Sequence, residues 1–120
     1  MQLVSSDWVL FYNSQDPLGK KTRAYAESSS HKLNTQDLSF ANLSSTTLRV
    51  ILDSLGLSAK DLMNKAHPFY QSQLRGKEYD EEGWLNVLKK NSFLIKYPIV
   101  FKKGRVYLCS TPNDIFKNLN

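Results

Sequence analysis

The chain has 120 residues, with 16 lysines and arginines against 11 aspartates and glutamates, and a single cysteine, Cys109. A chain of this length predicts one compact domain, residues 1–120, that buries roughly 65% of its unfolded surface. One cysteine excludes an intrachain disulfide, a Cys-x-x-Cys redox pair and a cysteine-rich zinc site, and His31 and His67 are far apart in the sequence. We expect a soluble, cytoplasmic protein without a metal or cofactor, because the sequence shows neither a secretory signal nor an apolar run of bilayer length.

The net charge of +5 is unevenly distributed, since residues 1–60 carry +1 and residues 61–120 carry +4. No acidic residue lies between Asn86 and Asn113, where the basic residues are Lys89, Lys90, Lys96, Lys102, Lys103 and Arg105. Such a stretch is usually a solvated face, and an anionic partner is the alternative. We expect no direct binding of nucleic acid, because the chain lacks an RNP motif, a recognition-helix pattern and a basic tail.

The first predicted elements are a strand and a helix. Trp8–Tyr12 is a continuous apolar run, which predicts a buried strand. Asp16 and Pro17 predict a helix that runs to about Ser28, because aspartate caps free N–H groups and proline presets φ. Gly19 is expected to weaken this helix. The apolar face of the helix is modest and comprises Ala24, Tyr25 and Ala26.

A second strand and a well-marked helix follow. Partial alternation predicts the strand within His31–Phe40. Ser44 or Ser45 is the expected cap of the helix, and Gly56 stands where a left-handed C-terminal cap is required. The apolar residues at helical spacing are Leu48, Ile51, Leu52 and Leu55.

Two more helices are expected before the pattern changes. Ser58–Asp61 resembles a capping box and predicts a helix that ends at His67 and Pro68. The acidic run Asp80–Glu82 predicts the start of the next helix, where negative charge is favourable. The inward-facing residues are Leu62, Met63 and Ala66 in the first helix and Trp84, Leu85 and Leu88 in the second.

The last part of the chain changes to strand periodicity. Ile99–Phe101 and Val106–Leu108, separated by Lys102–Gly104, predict an antiparallel hairpin. Thr111 is the expected cap of a final helix. The apolar face of that helix comprises Ile115, Phe116 and Leu119. This order of elements predicts an α/β, thioredoxin-like (glutaredoxin-like) fold, a mixed sheet flanked by helices with a helical insertion over about residues 58–91.

Several segments resemble one known family. Leu94–Val100, followed by Gly104–Cys109 and Thr111–Ile115, resembles a signature in which Leu-Ile-x-Arg-Pro-Ile-Val leads through a hairpin to an Arg-Pro-containing helix start. Leu62–Lys65 is similar to a Leu-Leu-Arg-Lys segment, and Lys20–Tyr25 to an Arg-Lys-Ala-Arg-Ala-Trp helix start. Over nearly its whole length the chain thus resembles the bacterial arsenate reductase (ArsC) and Spx family.

The chain differs from the family at the residues that carry out the family's chemistry. The resemblance implies a nucleophilic cysteine at the start of the first helix, and in Spx a second cysteine three residues later, but these positions hold Asp16 and Gly19. The counterparts of three arginines that bind the arsenate oxyanion are Asn64, Tyr97 and Ser110. A carboxylate cannot form a mixed disulfide, and the replacements lack the bidentate fork of arginine. The resemblance therefore implies a pseudoenzyme that has lost arsenate reduction.

The scaffold of the family is expected to remain. Pro98 matches the proline that follows a cis peptide bond in thioredoxin-like folds, which implies a cis Tyr97–Pro98 bond next to Asp16. Tyr97 is expected to border the vacant oxyanion pocket. The candidate binding residues are Asp16, Lys20, Tyr97 and Pro98.

Two alternatives to a non-catalytic role stay open. Cys109 could serve a glutaredoxin- or thioredoxin-coupled reductase, although cysteine in an apolar strand is usually a core residue. A small anion could bind at the first helix N-terminus beside Lys20 and Lys21, although Asp16 already occupies that positive end. For His67, packing or C-capping at a helix end is favoured over metal binding.

The resemblance also implies a class of partner. Spx proteins act by binding the C-terminal domain of the RNA polymerase α subunit, which is a precedent for this fold as a protein-binding module. We therefore expect a regulatory module that binds another protein, with the RNA polymerase α subunit as the partner implied by analogy and no association with a membrane.

Overall fold

The computed structural model describes residues 8–29, 33–96, 98–102 and 105–118. The strands and α-helices in these ranges are β1 (Trp8–Tyr12), α1 (Pro17–Glu27), β2 (Leu33–Asp37), α2 (Ser45–Leu55), α3 (Glu81–Lys90), β3 (Ile99–Lys102), β4 (Arg105–Leu108) and α4 (Asp114–Asn118). Two 3-10 turns lie at Lys60–Leu62 and Ser92–Leu94, and a short π-helix lies at Tyr70–Leu74. Within the described ranges, every helix is too short or too polar to cross a bilayer.

The strands form one mixed sheet in the order β2-β1-β3-β4. Strand β1 runs parallel to β2, with Trp8 opposite Leu33, and antiparallel to β3, with Phe11 opposite Ile99. The β3 and β4 strands form the predicted antiparallel hairpin. The predicted α/β class, with a mixed sheet and flanking helices, is confirmed.

The chain divides into two compact units. The first comprises residues 1–41 and 97–120 and contains the sheet, α1 and α4. The second comprises residues 42–96 and contains α2 and α3. The single domain over residues 1–120 and the insertion over about residues 58–91 stay predictions.

Strand β1 is buried along its whole length, since each of its five side chains is at most 7% exposed. A run without polar residues is typical of a strand that is covered on both faces, as the sequence predicted. Alternate residues of β1 enter one apolar cluster, whose members are Trp8, Leu10, Tyr12, Ala26, Val100, Cys109 and Ile115. This cluster is the core of the first unit.

Helix α1 lies within the predicted bounds but buries a different face. Ala24 and Tyr25, which the sequence assigned to the apolar face, are exposed. The buried residues of α1 are Gly19, Thr22 and Ala26. Burial of Thr22 is tolerated because its hydroxyl donates a hydrogen bond to the carbonyl of Leu18 at 2.8 Å. The helix therefore packs through small residues. A search for large apolar side chains at helical spacing does not identify this face.

The second unit confirms two predicted helices. The Ser44 hydroxyl caps α2 by accepting the N–H of Thr47 at 3.2 Å, and Gly56 ends it with φ of 65°. The Asp80 carboxylate caps α3 by accepting the N–H of Gly83 at 2.7 Å. The predicted inward residues of α3 are buried: Trp84, Leu85 and Leu88.

The helix predicted from the Ser58–Asp61 capping box is wrong. The Ser58 hydroxyl does accept the N–H of Asp61 at 3.2 Å, but only a 3-10 turn follows. Met63 is extended and forms a β-bridge with Ile95. Pairing with a distant segment has therefore replaced the helix that the local signal predicts.

The strand β2 and the last helix also differ from their predictions. β2 ends at Asp37, and Phe40 is 83% exposed in the following turn. Helix α4 starts at Asp114, whose carboxylate accepts the N–H of Thr111 at 3.1 Å, the bond that the third residue of a capping box makes back to its cap, so the contact is consistent with the predicted cap at Thr111. Ile115 is buried as predicted, but Phe116 is 40% exposed. Parts of these predictions lie outside the described residues, namely those on His31, Lys32, Lys103, Gly104 and Leu119.

Gly19 lies at a close approach of two backbone segments. The carbonyl of Asn13 accepts the N–H of Asp16 at 3.1 Å, which closes a tight turn between β1 and α1. A Cβ atom on Gly19 would collide with the same carbonyl oxygen of Asn13. Glycine is therefore required here by packing, whereas the sequence suggested only that it weakens the helix.

Gly19→Ala is expected to lower the free energy of unfolding by about 1–3 kcal/mol, because the Asn13 backbone must move to admit the Cβ. At an ordinary helical position, alanine in place of glycine would instead stabilise the protein by about 1 kcal/mol. Urea unfolding followed by tryptophan fluorescence measures the sign of the change in the free energy of unfolding. Lys20→Ala, at the exposed next position, is the control and should change stability by less than about 0.5 kcal/mol. A Gly19→Ala variant at least as stable as the wild type would contradict the close approach.

Candidate functional site

The strand register brings three candidate segments to one end of the sheet. Phe11, near the end of β1, pairs with Ile99, the first residue of β3. Because β3 and β4 are antiparallel, β4 ends at the same place, where the N–H of Cys109 donates a hydrogen bond to the carbonyl of Pro98 at 2.9 Å. The turn after β1, the segment before β3 and the segment after β4 therefore share one end of the sheet. These segments carry Asp16, Pro98 and Ser110.

Asp16 occupies the N-terminus of α1 as its cap, which confirms the capping role predicted for it. Its carboxylate accepts the N–H of Leu18 at 3.2 Å, and its backbone has the extended conformation of an N-cap residue. The next residue, Pro17, has no N–H to offer. At this helix end one N–H is therefore absent and another is already bound to a carboxylate.

Lys20 lies on the exposed side of α1 and borders a shallow groove of 160 Å³. The other cation of this groove, Arg23, forms an ion pair with Glu27 at 2.9 Å and lies 5.5 Å from the ring centre of Tyr12. Glu27 also lines the groove and neutralises Arg23, so Lys20 is the one cation left without a carboxylate among the residues that line it. This arrangement gives little support to the alternative of a small-anion site beside Lys20 and Lys21.

Ser110 serves the start of α4. Its N–H and its hydroxyl both donate hydrogen bonds to the Asp114 carboxylate at 3.0 Å. The N–H of Thr111 and then the Ser110 hydroxyl lower the pKa of Asp114 from its ordinary value. Ser110 is therefore occupied with a carboxylate of its own chain.

Asn64, in the second unit, also has a local role. Its side-chain oxygen accepts the N–H of Ala66 at 3.1 Å, which forms an Asx turn, and its own N–H donates to the carbonyl of Leu94 at 2.7 Å. The first bond stabilises the turn that follows Met63, and the second ties this turn to the segment at Leu94. Asn64 carries no charge that could bind an oxyanion.

Tyr97, the third residue that the resemblance set against a family arginine, lies outside the described residues, and so does the predicted cis Tyr97–Pro98 bond. Pro98 itself is buried at the start of β3. The expectation that Tyr97 borders an oxyanion pocket stays a prediction.

Cys109 is fully buried in the core of the first unit. It belongs to the same apolar cluster as Trp8, Leu10 and Val100. The core role favoured from the sequence is confirmed. A thiol in this position is not accessible to a disulfide partner without opening of the core.

His67 packs and caps, as favoured from the sequence, but at a helix start. Its Nδ1 accepts the N–H of Phe69 at 3.0 Å, and its ring meets the ring of Phe93 edge-on at 5.2 Å. His31 lies outside the described residues. Among the residues that the structure describes, no three His, Cys, Asp or Glu side chains are grouped as a metal site.

Asp37 is the residue of this region that the sequence did not reveal. Its carboxylate accepts the N–H of Ser14 at 3.1 Å, and from Ser39 both the N–H at 3.0 Å and the hydroxyl at 2.7 Å. Partial burial raises the pKa of Asp37, but the hydrogen bonds from Ser14 and Ser39 outweigh it and lower the pKa from 3.8 to about 2. This network ties the end of β2 to the turn that carries Asp16.

Comparison with known proteins places these features in a family. A family model described as the ArsC family matches residues 18–118. The curated proteins compared with the chain gave no match.

Solved structures resemble the chain over nearly its whole length. A putative arsenate reductase from Yersinia pestis has 22% identity and a TM-score of 0.80, covering 92% of this chain and 99% of that one. The arsenate reductase from Vibrio cholerae has 17% identity and a TM-score of 0.80, covering 95% and 98%. An arsenate reductase (ArsC) related protein from Brucella melitensis has 15% identity and a TM-score of 0.70, covering 99% of both chains. At these identities the likeness shows the fold, and the thioredoxin-like architecture predicted from the sequence is confirmed.

Asp37→Asn is expected to lower the free energy of unfolding near pH 7 by about 1 kcal/mol, because a lowered pKa means that folding favours the ionised form. The contribution is present above the unfolded pKa near 3.8 and is lost as the pH falls towards 2. Urea unfolding of both proteins from pH 7 to pH 2 should therefore show the difference shrinking in the acid range.

Ser39→Ala should show part of the same effect, since it removes the shortest of these hydrogen bonds. Ser54→Ala, at an exposed position of α2, is the control and should leave stability unchanged at each pH. A stability difference between wild type and Asp37→Asn that is constant with pH would exclude this role of the carboxylate.

Proposed function

Because the chain belongs to the ArsC family, we propose that it is an arsenate reductase-like protein that has lost the reductase chemistry and acts as a protein-binding regulatory module in the bacterial cytoplasm. The observation that carries this proposal is the state of Asp16. This residue stands at the family's nucleophile position, and its carboxylate is used to cap α1.

The loss of the nucleophile has a direct chemical consequence. Arsenate reduction through a thiol requires a thiolate that bonds to arsenic and is later released as a disulfide. A carboxylate offers neither the soft sulfur nucleophile nor a redox couple. Gly19, at the second cysteine position of Spx, has no room even for a Cβ atom, so a resolving thiol at that place is also excluded.

The loss of the anion ligands supports the same conclusion. Arginine binds an oxyanion through a planar, bidentate pair of donors, and neither asparagine nor serine can supply it. Asn64 and Ser110 have taken up hydrogen bonds within their own loops. One substitution alone could have been compensated elsewhere, whereas the joint replacement removes both the attacking group and the groups that hold its substrate.

The reductase alternative would have to rely on Cys109. The burial of this thiol in the core opposes attack on a substrate or on a glutaredoxin partner. The assignment to the ArsC family does not depend on whether the protein reduces arsenate.

The test of lost catalysis is an arsenate reduction assay with glutathione and glutaredoxin, and separately with thioredoxin. We expect turnover equal to the protein-free background for the wild type, Asp16→Asn and Cys109→Ala. The Vibrio cholerae arsenate reductase, assayed in parallel, is the positive control. Turnover that requires this protein would refute the proposal, and its loss in a folded Cys109→Ala variant would establish the Cys109 alternative.

The test of protein binding is capture of partners from the native host on the immobilised protein, scored for RNA polymerase subunits. By the Spx analogy, the α subunit is the expected partner. The Gly19→Ala variant, which should distort the turn at Asp16, is the matched comparison and should retain less of the partner. Retention equal to that of an unrelated protein of the same charge would contradict a binding role.

A further inference from the structure

Two exposed aromatic rings form a stacked pair on the surface of the first unit. Tyr25 of α1 and Phe116 of α4 have ring centres 5.6 Å apart and an angle of 21° between the ring planes. Tyr25 is 37% exposed and Phe116 is 40% exposed. Two large rings that remain this exposed on adjoining helices form an apolar patch that the core does not use.

The position of the pair separates it from the buried faces of its helices. The residue of α4 that enters the core is Ile115, the neighbour of Phe116. On α1, Ala26 enters the same core, whereas Tyr25 itself is exposed.

The charge around the rings is positive. Lys21 lies one helical turn before Tyr25 on the same side of α1, and Lys117 follows Phe116; both are exposed. Asp114 forms an ion pair with the Lys117 ammonium at 3.6 Å and also accepts three hydrogen bonds from the loop before α4, so these three charged side chains leave a net charge of +1 beside the rings. A partner that approaches the rings therefore meets two lysines at the rim.

We propose that the surface formed by Lys21, Ala24, Tyr25, Phe116 and Lys117, the Tyr25–Phe116 surface, binds an acidic amphipathic segment of a partner protein. An apolar side chain of the partner packs against the two rings, where aromatic residues commonly provide most of the binding energy. Carboxylates of the segment face Lys21 and Lys117 and raise the association rate and the selectivity. This inference rests on the proposed function, since it gives the binding module its surface.

A protein segment fits this surface better than nucleic acid does. Binding to a phosphate backbone depends on many lysines and arginines along a groove, and each phosphate contact adds to the salt dependence. The Tyr25–Phe116 surface has two lysines beside an apolar patch. Protein interfaces have the same composition, with an apolar centre and a polar or charged rim.

The experiment is an NMR titration of the isotope-labelled protein with synthetic peptides of about 12 residues, the length of a short amphipathic helix. The first peptide is rich in glutamate, with leucine and phenylalanine at helical spacing. The second replaces glutamate by lysine, and the third replaces the apolar residues by serine. An oligothymidylate of similar length is the nucleic-acid probe.

We expect the acidic peptide to shift the resonances of Tyr25, Phe116 and Lys21 and to bind more tightly than the other probes. Tyr25→Ser or Phe116→Ser should weaken it at least about tenfold, as loss of an interface anchor does. Lys21→Glu or Lys117→Glu should weaken it about threefold to tenfold at low salt and less at high salt. Phe40→Ser, at an isolated aromatic residue that is 83% exposed, and Lys77→Glu, at an exposed lysine of the second unit, are the matched controls and should leave binding unchanged.

The proposal is overturned if the acidic peptide fails to bind, if Tyr25→Ser and Phe116→Ser bind it as the wild type does, or if the lysine peptide binds equally well. Tighter binding of the oligothymidylate would also overturn it and would assign the surface to nucleic acid. These outcomes are independent of the arsenate assay. If the peptide does not bind and the protein does not reduce arsenate, only the proposal for this surface fails. If the protein reduces arsenate, the proposed function itself fails.

Discussion

Strand β1 is the element on which the first unit depends. It forms backbone hydrogen bonds with β2 on one side and β3 on the other, and its side chains are buried on both faces. Any shift of β1 would therefore break two ladders and expose apolar side chains on both sides. The fixed end of this strand determines where the turn before α1 lies, and the Asp37 network with Ser14 and Ser39 holds that turn against the end of β2.

Three residues at which the sequence departs from the pattern of the family that it resembles have structural roles in this fold. Asp16 caps a helix, Asn64 closes an Asx turn and Ser110 binds the Asp114 carboxylate. Each of these is a short-range contact that a catalytic cysteine or a substrate-binding arginine at the same place would not make. These residues therefore stabilise their own loops and helix ends, and none of them belongs to the apolar cluster around β1.

The sequence predicted those elements whose signals are local. Ser44 caps α2 and Gly56 ends it through contacts within one helical turn, and α2 was therefore predicted correctly. The segment after Ser58 has an equally good local signal, but the pairing of Met63 with Ile95 depends on residues far along the chain, and it prevails. At the candidate site, the cap at Asp16 was predictable for the same reason. The Asp37 network was not, because it exists only when β1 and β2 lie side by side.

The close approach at Gly19 also bears on how this protein can evolve. Any residue other than glycine at position 19, a cysteine included, would place its Cβ against the backbone of Asn13. The turn between β1 and α1 would have to be rebuilt before such a residue could be accepted. The glycine and the turn that precedes it can therefore change only together.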